Sequence, residues 1–303
     1  MLPEQVTIID VGLRDGLQNE ATAVDTAGKL RLAEALLAAG VREMEVTSFV
    51  RPDRVPRMAD AEAVVAGLPS RDDVRFVALV GNEHGYDRAA AAGVRHVIFV
   101  LAATDVFNER NVGRSVARSV DDLAAICRRG QADGIAVRSA IAVAFGCPFS
   151  GPVSAATVLE VAKRCQAAGT MAIEIADTIG IANPRQVADR FAALREAVPE
   201  AELAAHFHDT RGMGLANVWA AVNVGIARFD ASIAGLGGCP FAPGATGNIA
   251  TEDTVHLLEE AGIATGIDRA AIFAAADIAE ELVGRPSAGR VKKAERAAAA
   301  RVA

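Results

Sequence analysis

The sequence predicts an α/β protein, a (β/α)8 TIM barrel with extra C-terminal helices. Two observations carry this. Short β-rich runs alternate with Ala-rich helical stretches, and the eight candidate strands recur about every 32 residues, as in a barrel of roughly 250 residues. No linker rich in Pro, Gly and Ser divides the 303 residues. A doubly wound sheet produces the same alternation. No Gly-x-Gly-x-x-Gly follows the first strand, however, and no Walker A motif is present, so a dinucleotide or nucleotide site has no support.

The elements follow in order. The first strand is read at 6–11. A helix at 26–39 is ended by Gly40, where a left-handed stop is wanted. A strand at 43–47, a helix at 59–67 and a strand at 74–79 come next, then Gly93 and a strand at 96–101. A helix at 121–134 leads to a strand at 137–144. A helix at 154–169, closed by Gly169, leads to a strand at 172–177. Asn183 reads as an N-cap with Pro184 at the first position of a helix at 184–198. A strand at 203–207, a helix at 214–225 ended by Gly225, and a strand at 229–233 complete the barrel. Residues 1–265 are read as the catalytic barrel and 266–303 as a helical extension packed on it. The basic, Ala-rich end after Ala288 reads as a frayed helical tail.

Composition narrows the function. Hydrophobic residues make up 51%, ample for a large core, and the net charge of −7 disfavours nucleic acid as a partner. With 4% aromatics, one Trp and one Tyr, base-stacking and carbohydrate platforms are poorly supplied. No apolar run reaches the roughly 18–20 residues of a membrane span, so no membrane is expected. Met1 to Gln5 lacks the features of a secretory signal. Four cysteines (Cys127, Cys147, Cys165, Cys239) make no disulfide framework. The expectation is a reduced, cytoplasmic protein.

Polar residues that are costly to bury collect at the carboxyl ends of the strands, where barrel enzymes keep their active sites. Strand one ends in Asp10 and runs into Gly12-Leu13-Arg14-Asp15-Gly16. His206 and His208, two apart on a strand, share a face and with nearby carboxylates can hold one cation. Without thiolate ligands Mg²⁺, Mn²⁺ or Zn²⁺ fit, the harder ions better. Arg14 beside Asp15 reads either as a surface ion pair or as a metal carboxylate with an arginine that stabilises developing negative charge. Glu45 and Asp177 lie in apolar strands, where a structural partner explains each almost as well as catalysis does. Cys239 sits in a Gly-rich loop, 235–248, that can approach a ligand closely and reads as a reactive thiol. Cys147 has a similar setting; Cys127 and Cys165 read as core.

Together these segments resemble the 3-hydroxy-3-methylglutaryl-CoA lyase family, within the metal-dependent lyase and synthase group on TIM barrels. The matching stretches are Gly12 to Glu20, Glu45 to Val50, Phe145-Gly146-Cys147-Pro148-Phe149, Asp177-Thr178-Ile179-Gly180, His206-Phe207-His208-Asp209-Thr210, and the Cys239 loop ending in Gly247-Asn248-Ile249-Ala250-Thr251-Glu252-Asp253. The resemblance implies that Asp15, His206, His208 and Asn248 hold a divalent cation, Mg²⁺ or Mn²⁺. It implies that Arg14 faces the thioester oxygen, that Cys239 donates a proton, and that Glu45 and Asp177 orient ligands and assist proton transfer. An acyl-CoA substrate and a homodimer follow from it too. The chain departs from the family in Arg211-Gly212-Met213-Gly214, where Tyr-Gly-Gln-Ala is usual, in Ala21, where a Lys is usual, and in Gly81-Asn82-Glu83-His84-Gly85 after strand three. These touch none of the proposed metal or Cys positions. They leave open a related substrate such as citramalyl-CoA or a longer-branched 3-hydroxyglutaryl-CoA. An acetyl-CoA-dependent 2-keto acid synthase is the rival reading, against which the Cys239 loop stands.

Overall fold

In the computed structural model, which describes residues 2–238 and 247–299, eight parallel strands close into a barrel. They are β1 (Thr7–Asp10), β2 (Glu43–Ser48), β3 (Arg75–Val80), β4 (His96–Ala102), β5 (Ala136–Ala142), β6 (Ala172–Asp177), β7 (Glu202–Phe207) and β8 (Arg228–Ala231). Each pairs with its sequence neighbours, and β1 closes the ring against β8. The fold class read from the alternation is therefore the one observed.

Period-2 alternation assigns the two faces of every strand. Met44 and Val46, Phe99 and Leu101, Ile173 and Ile175, and Phe229 and Ala231 all join the large apolar layer between barrel and helices. The inner faces differ around the ring. Val77, Ile98 and Ala140, with Leu79 and Val100, fill one side with apolar side chains. The other side carries charge. Glu43 takes Arg138 at 2.6 Å and Arg228 at 2.5 Å, and Glu45 takes Arg138 at 3.2 Å. Those cations hold Glu43 below the ordinary carboxylate range although burial alone would raise it. Charge inside a barrel is tolerable only when paired in this way.

Helices α1 (Thr26–Ala38), α2 (Ala61–Gly67), α3 (Glu83–Ala91), α4 (Asp105–Val112), α5 (Val116–Asp133), α6 (Ala155–Ala167), α7 (Pro184–Ala197), α8 (Gly214–Asn223) and α9 (Thr251–Glu260) surround the barrel. Gly40, Gly93, Gly169 and Gly225 all have positive φ, as their stop role requires. Asn183 and Gln186 form a capping box at α7. The pattern reading missed α3 and α4 and began α5 at 121. α3 and α5 start at polar caps: Asn82 accepts from Gly85 N–H at 2.8 Å, and Ser115 from Arg118 N–H at 3.2 Å. A two-stranded hairpin, Gly146–Cys147 with Gly151–Pro152, stands above β5.

Two helices follow. α10 (Arg269–Val283) lies against α1 and the turn Ile233–Gly235. α11 (Val291–Ala299) is docked on α9 and α10: Lys292 is buried between Asp277 at 3.1 Å and Glu280 at 2.7 Å. The Asp253 carboxylate accepts from the Arg290 and Val291 N–H groups at 2.9 Å. Among the described residues no helix is long and apolar enough to cross a membrane.

Candidate metal centre and active site

The chain leaves β1 through a short π-helical turn, Gly12–Gly16. Asp10 accepts from Gly12 N–H at 2.8 Å and from the Thr251 hydroxyl at 2.7 Å, tying the turn to α9. A Cβ on Gly12 would lie 2.7 Å from Ile233 Cγ2 and 2.8 Å from the Asp10 carboxylate, so only glycine lets the turn seat there. The turn delivers Arg14 and Asp15 to the mouth of the barrel.

Arg14 is held from two sides. Its Nε and Nη2 bond Glu45 Oε2 at 2.6 and 2.5 Å, and its Nη1 bonds Asp15 at 2.7 Å. Burial opposes the charge, but Glu45 and Asp15 outweigh it and keep the guanidinium firmly protonated. Glu45 is fully buried and bridges Arg14 to Arg138. Both its oxygens are committed.

β7 ends in the two histidines. Asp15, His206 and His208 each offer a ligand atom, all within 4.8 Å of one another. Burial and the neighbouring His206 push the His208 imidazole down to about 4, so it is neutral and its lone pair free. His208 Nδ1 is buried without a hydrogen-bond partner. Asp15 is the opposite case. Burial alone would raise it, yet Arg14 above all, then the two histidines and Asn248, hold it down to about 2. An anionic oxygen beside two imidazole rings, one of them with an orphaned ring nitrogen, fits a divalent cation.

Asn248 completes the cluster from far along the chain. It forms an antiparallel bridge with His208, while Ile249 and Ala250 run against the ends of β7 and β8. Its amide nitrogen donates to Asp15 at 2.7 Å and to the Leu236 carbonyl at 3.1 Å. The atom left to meet a cation is the carbonyl oxygen. This return depends on a close backbone crossing: a Cβ on Gly247 would fall 1.9 Å from the Gly237 carbonyl oxygen. Cys239 lies outside the described residues. The stem before it is anchored by Asn19, which donates to the Gly238 carbonyl at 3.2 Å, and by Glu20, which accepts from Gly237 N–H at 3.4 Å.

Asp177 ends β6 nearby. Its oxygens accept from the Ile181 and Ala182 N–H groups, each at 2.9 Å. Burial pushes its pKa up, against the pull of those amides. Arg211 donates to the Ile179 and Gly180 carbonyls at 2.8 and 3.0 Å and ties this turn to the loop after β7. Cys127 and Cys165 are buried, and burial raises their thiols to about 11 and about 12, as inert core residues.

Arg14, Asp15, Glu45, His206, His208 and Asn248 are thus brought together. Asp230 and Glu174 are functional candidates that the sequence reading missed. Asp230 Oδ2 lies 3.0 Å from His206 Nδ1, and Glu174 joins the same inner group. The period-2 rule that paired the histidines marks them too: Arg228 and Asp230 alternate with apolar residues on β8, and Glu174 stands among them on β6.

The HMGL-like family model matches residues 5–279. An (R)-citramalyl-CoA lyase of Chloroflexus aurantiacus is 44% identical, covering 96% of this chain and 95% of that protein. A hydroxymethylglutaryl-CoA lyase of Pseudomonas mevalonii is 42% identical over 89% of both chains. The crystal structure of hydroxymethylglutaryl-CoA lyase from Pseudomonas aeruginosa superposes with a TM-score of 0.94 at 40% identity, covering 98% of this chain and 99% of that one.

Proposed function

The chain belongs to the HMGL-like family and is a carbon–carbon lyase, and from that premise we propose that it cleaves a 3-hydroxy-3-methylglutaryl-CoA-like thioester to acetyl-CoA and a 3-keto acid, acetoacetate. The observation that carries the reading is the Asp15, His206 and His208 group beside a guanidinium at the open end of the barrel.

A divalent cation, Mg²⁺ or Mn²⁺, held by Asp15, His206, His208 and Asn248, would act as a Lewis acid that makes the substrate's C3 hydroxyl acidic. That hydroxyl proton passes to a carboxylate or imidazole of the same cluster. The C2–C3 bond breaks, C3 becomes a ketone, and the electron pair moves into the thioester as an enolate. Arg14 meets that negative charge, already aimed by Glu45 and Asp15, so little reorganisation is needed. Cys239 then protonates C2, giving acetyl-CoA. The committed oxygens of Glu45 and Asp177 support orienting roles: Glu45 aims Arg14, and Asp177 shapes the turn at 178–182.

A second substrate is favoured by one observation, the 44% identity to a citramalyl-CoA lyase. Arg211, standing where the family usually has Tyr, pins two mouth loops beside the cluster. The free thiols at Cys127, Cys147 and Cys165 support a cytoplasmic enzyme, and the family resemblance supports a homodimer. The deciding experiment is acetyl-CoA release from both thioesters with Mg²⁺ or Mn²⁺ and with a chelator. Cation-dependent release from 3-hydroxy-3-methylglutaryl-CoA is expected. Release from citramalyl-CoA alone would move the specificity, and release from neither would overturn the reading.

A further inference from the structure

We propose that Asp230 is a positioning residue that fixes the tautomer of His206, so that Nε2 is the nitrogen presented to the mouth of the barrel. This rests on the cation reading above. Asp230 Oδ2 lies 3.0 Å from His206 Nδ1, with the two side chains 1% and 7% exposed. The two residues are register partners across β7 and β8. Strand alignment therefore sets the contact, not a flexible arm. A carboxylate oxygen accepts, so Nδ1 carries the hydrogen and Nε2 keeps its lone pair. Carboxylate–imidazole pairs of this kind orient cation ligands and raise their basicity.

The other carboxyl oxygen extends the device. Asp230 Oδ1 and Glu174 Oε2 are both buried, and the two carboxyls hydrogen-bond each other. Glu174, His206 and Asp230 offer atoms within 4.8 Å of one another. A second cation held by these three would take Nδ1 away from its present role. Asp230 Oδ2 is already taken by His206 Nδ1, so the geometry favours a buttress over a second cation site.

The test uses the full chain with nitrogen-15-labelled histidine. In the cation-free protein, His206 is expected to carry its proton on Nδ1. In Asp230→Ala it is expected to become a mixture of tautomers, with Mn²⁺ binding weakened by roughly 10–100-fold. Asp230→Asn, whose carbonyl oxygen accepts the same hydrogen bond, is expected to restore the tautomer and most of the affinity. Wild-type Mn²⁺ affinity in Asp230→Ala, a proton on Nε2 in the wild type, or a second Mn²⁺ lost on Glu174→Gln would overturn the proposal. Should Asp230→Ala fail to fold, the wild-type tautomer and the Asn variant decide the matter. Failure of the wild type to bind Mn²⁺ would sink the cation reading instead, and the tautomer readout keeps the two distinguishable.

Discussion

Glu252→Gln is expected to stabilise the protein at alkaline pH. Glu252 opens α9 and is 1% exposed; its oxygens accept from the Ala234 N–H and the Ser287 hydroxyl, each at 3.0 Å. It holds the turn at Ala234, whose φ is +58°, at the start of the stretch that leads to Cys239. Burial, the largest cause, pushes the carboxyl up from 4.5 to about 7. Between those values the folded chain keeps a proton that the unfolded chain has released, so stability falls as pH rises through the window. A rise of that size corresponds to about 3 kcal/mol at about 1.4 kcal/mol per pH unit. Glutamine escapes the loss. Its carbonyl accepts from Ala234 N–H, and its amide donates to Ser287 Oγ, whose own proton goes to the Ala234 carbonyl 3.2 Å away. Urea unfolding of both proteins at roughly pH 5 and pH 8 measures the effect, which is expected to approach 3 kcal/mol only at the higher pH. Equal stability at the higher pH, or a difference independent of pH, would refute the reasoning.

Glu45→Gln removes the charge shared by Arg14 and Arg138, both buried. A loss of about 3 kcal/mol in unfolding free energy is expected, with a fall in kcat as Arg14 loses its aim; unchanged values for both would contradict the role assigned to Glu45. His208→Ala is expected to weaken Mn²⁺ or Mg²⁺ binding by at least the roughly 10–100-fold seen for outer-shell partners, measured by titration calorimetry. A fully loaded, active variant would remove His208 from the ligand set. Cys239→Ala is expected to cut turnover by about 10²–10⁴-fold while cation affinity stays at the wild-type value; wild-type turnover would end the proton-donor role.

Much of the fold was legible because its signals are local. Strand alternation and the Gly stops at Gly40, Gly93, Gly169 and Gly225 depend only on neighbouring residues. The same locality placed His206 and His208 on one face, and Arg14 with Asp15 in one turn. The helices α3 and α4 escaped because they are only 9 and 8 residues long, too short to announce a helical period, and are delimited by a polar cap on Asn82 and a left-handed Gly113.

Which charge meets which was decided by closure of the barrel. Glu45 and Arg138 stand on β2 and β5, and His206 and Asp230 on neighbouring β7 and β8. Nothing in the local sequence distinguishes a carboxylate that aims a guanidinium, as Glu45 does, from one bound to its own loop amides, as Asp177 is. The amino-acid sequence determined the elements and the chemical inventory at the strand ends, since backbone and side-chain periodicity act over a few residues. The tertiary structure alone chose the partners, because buried charges must be satisfied across space, and only the closed ring of strands sets those distances.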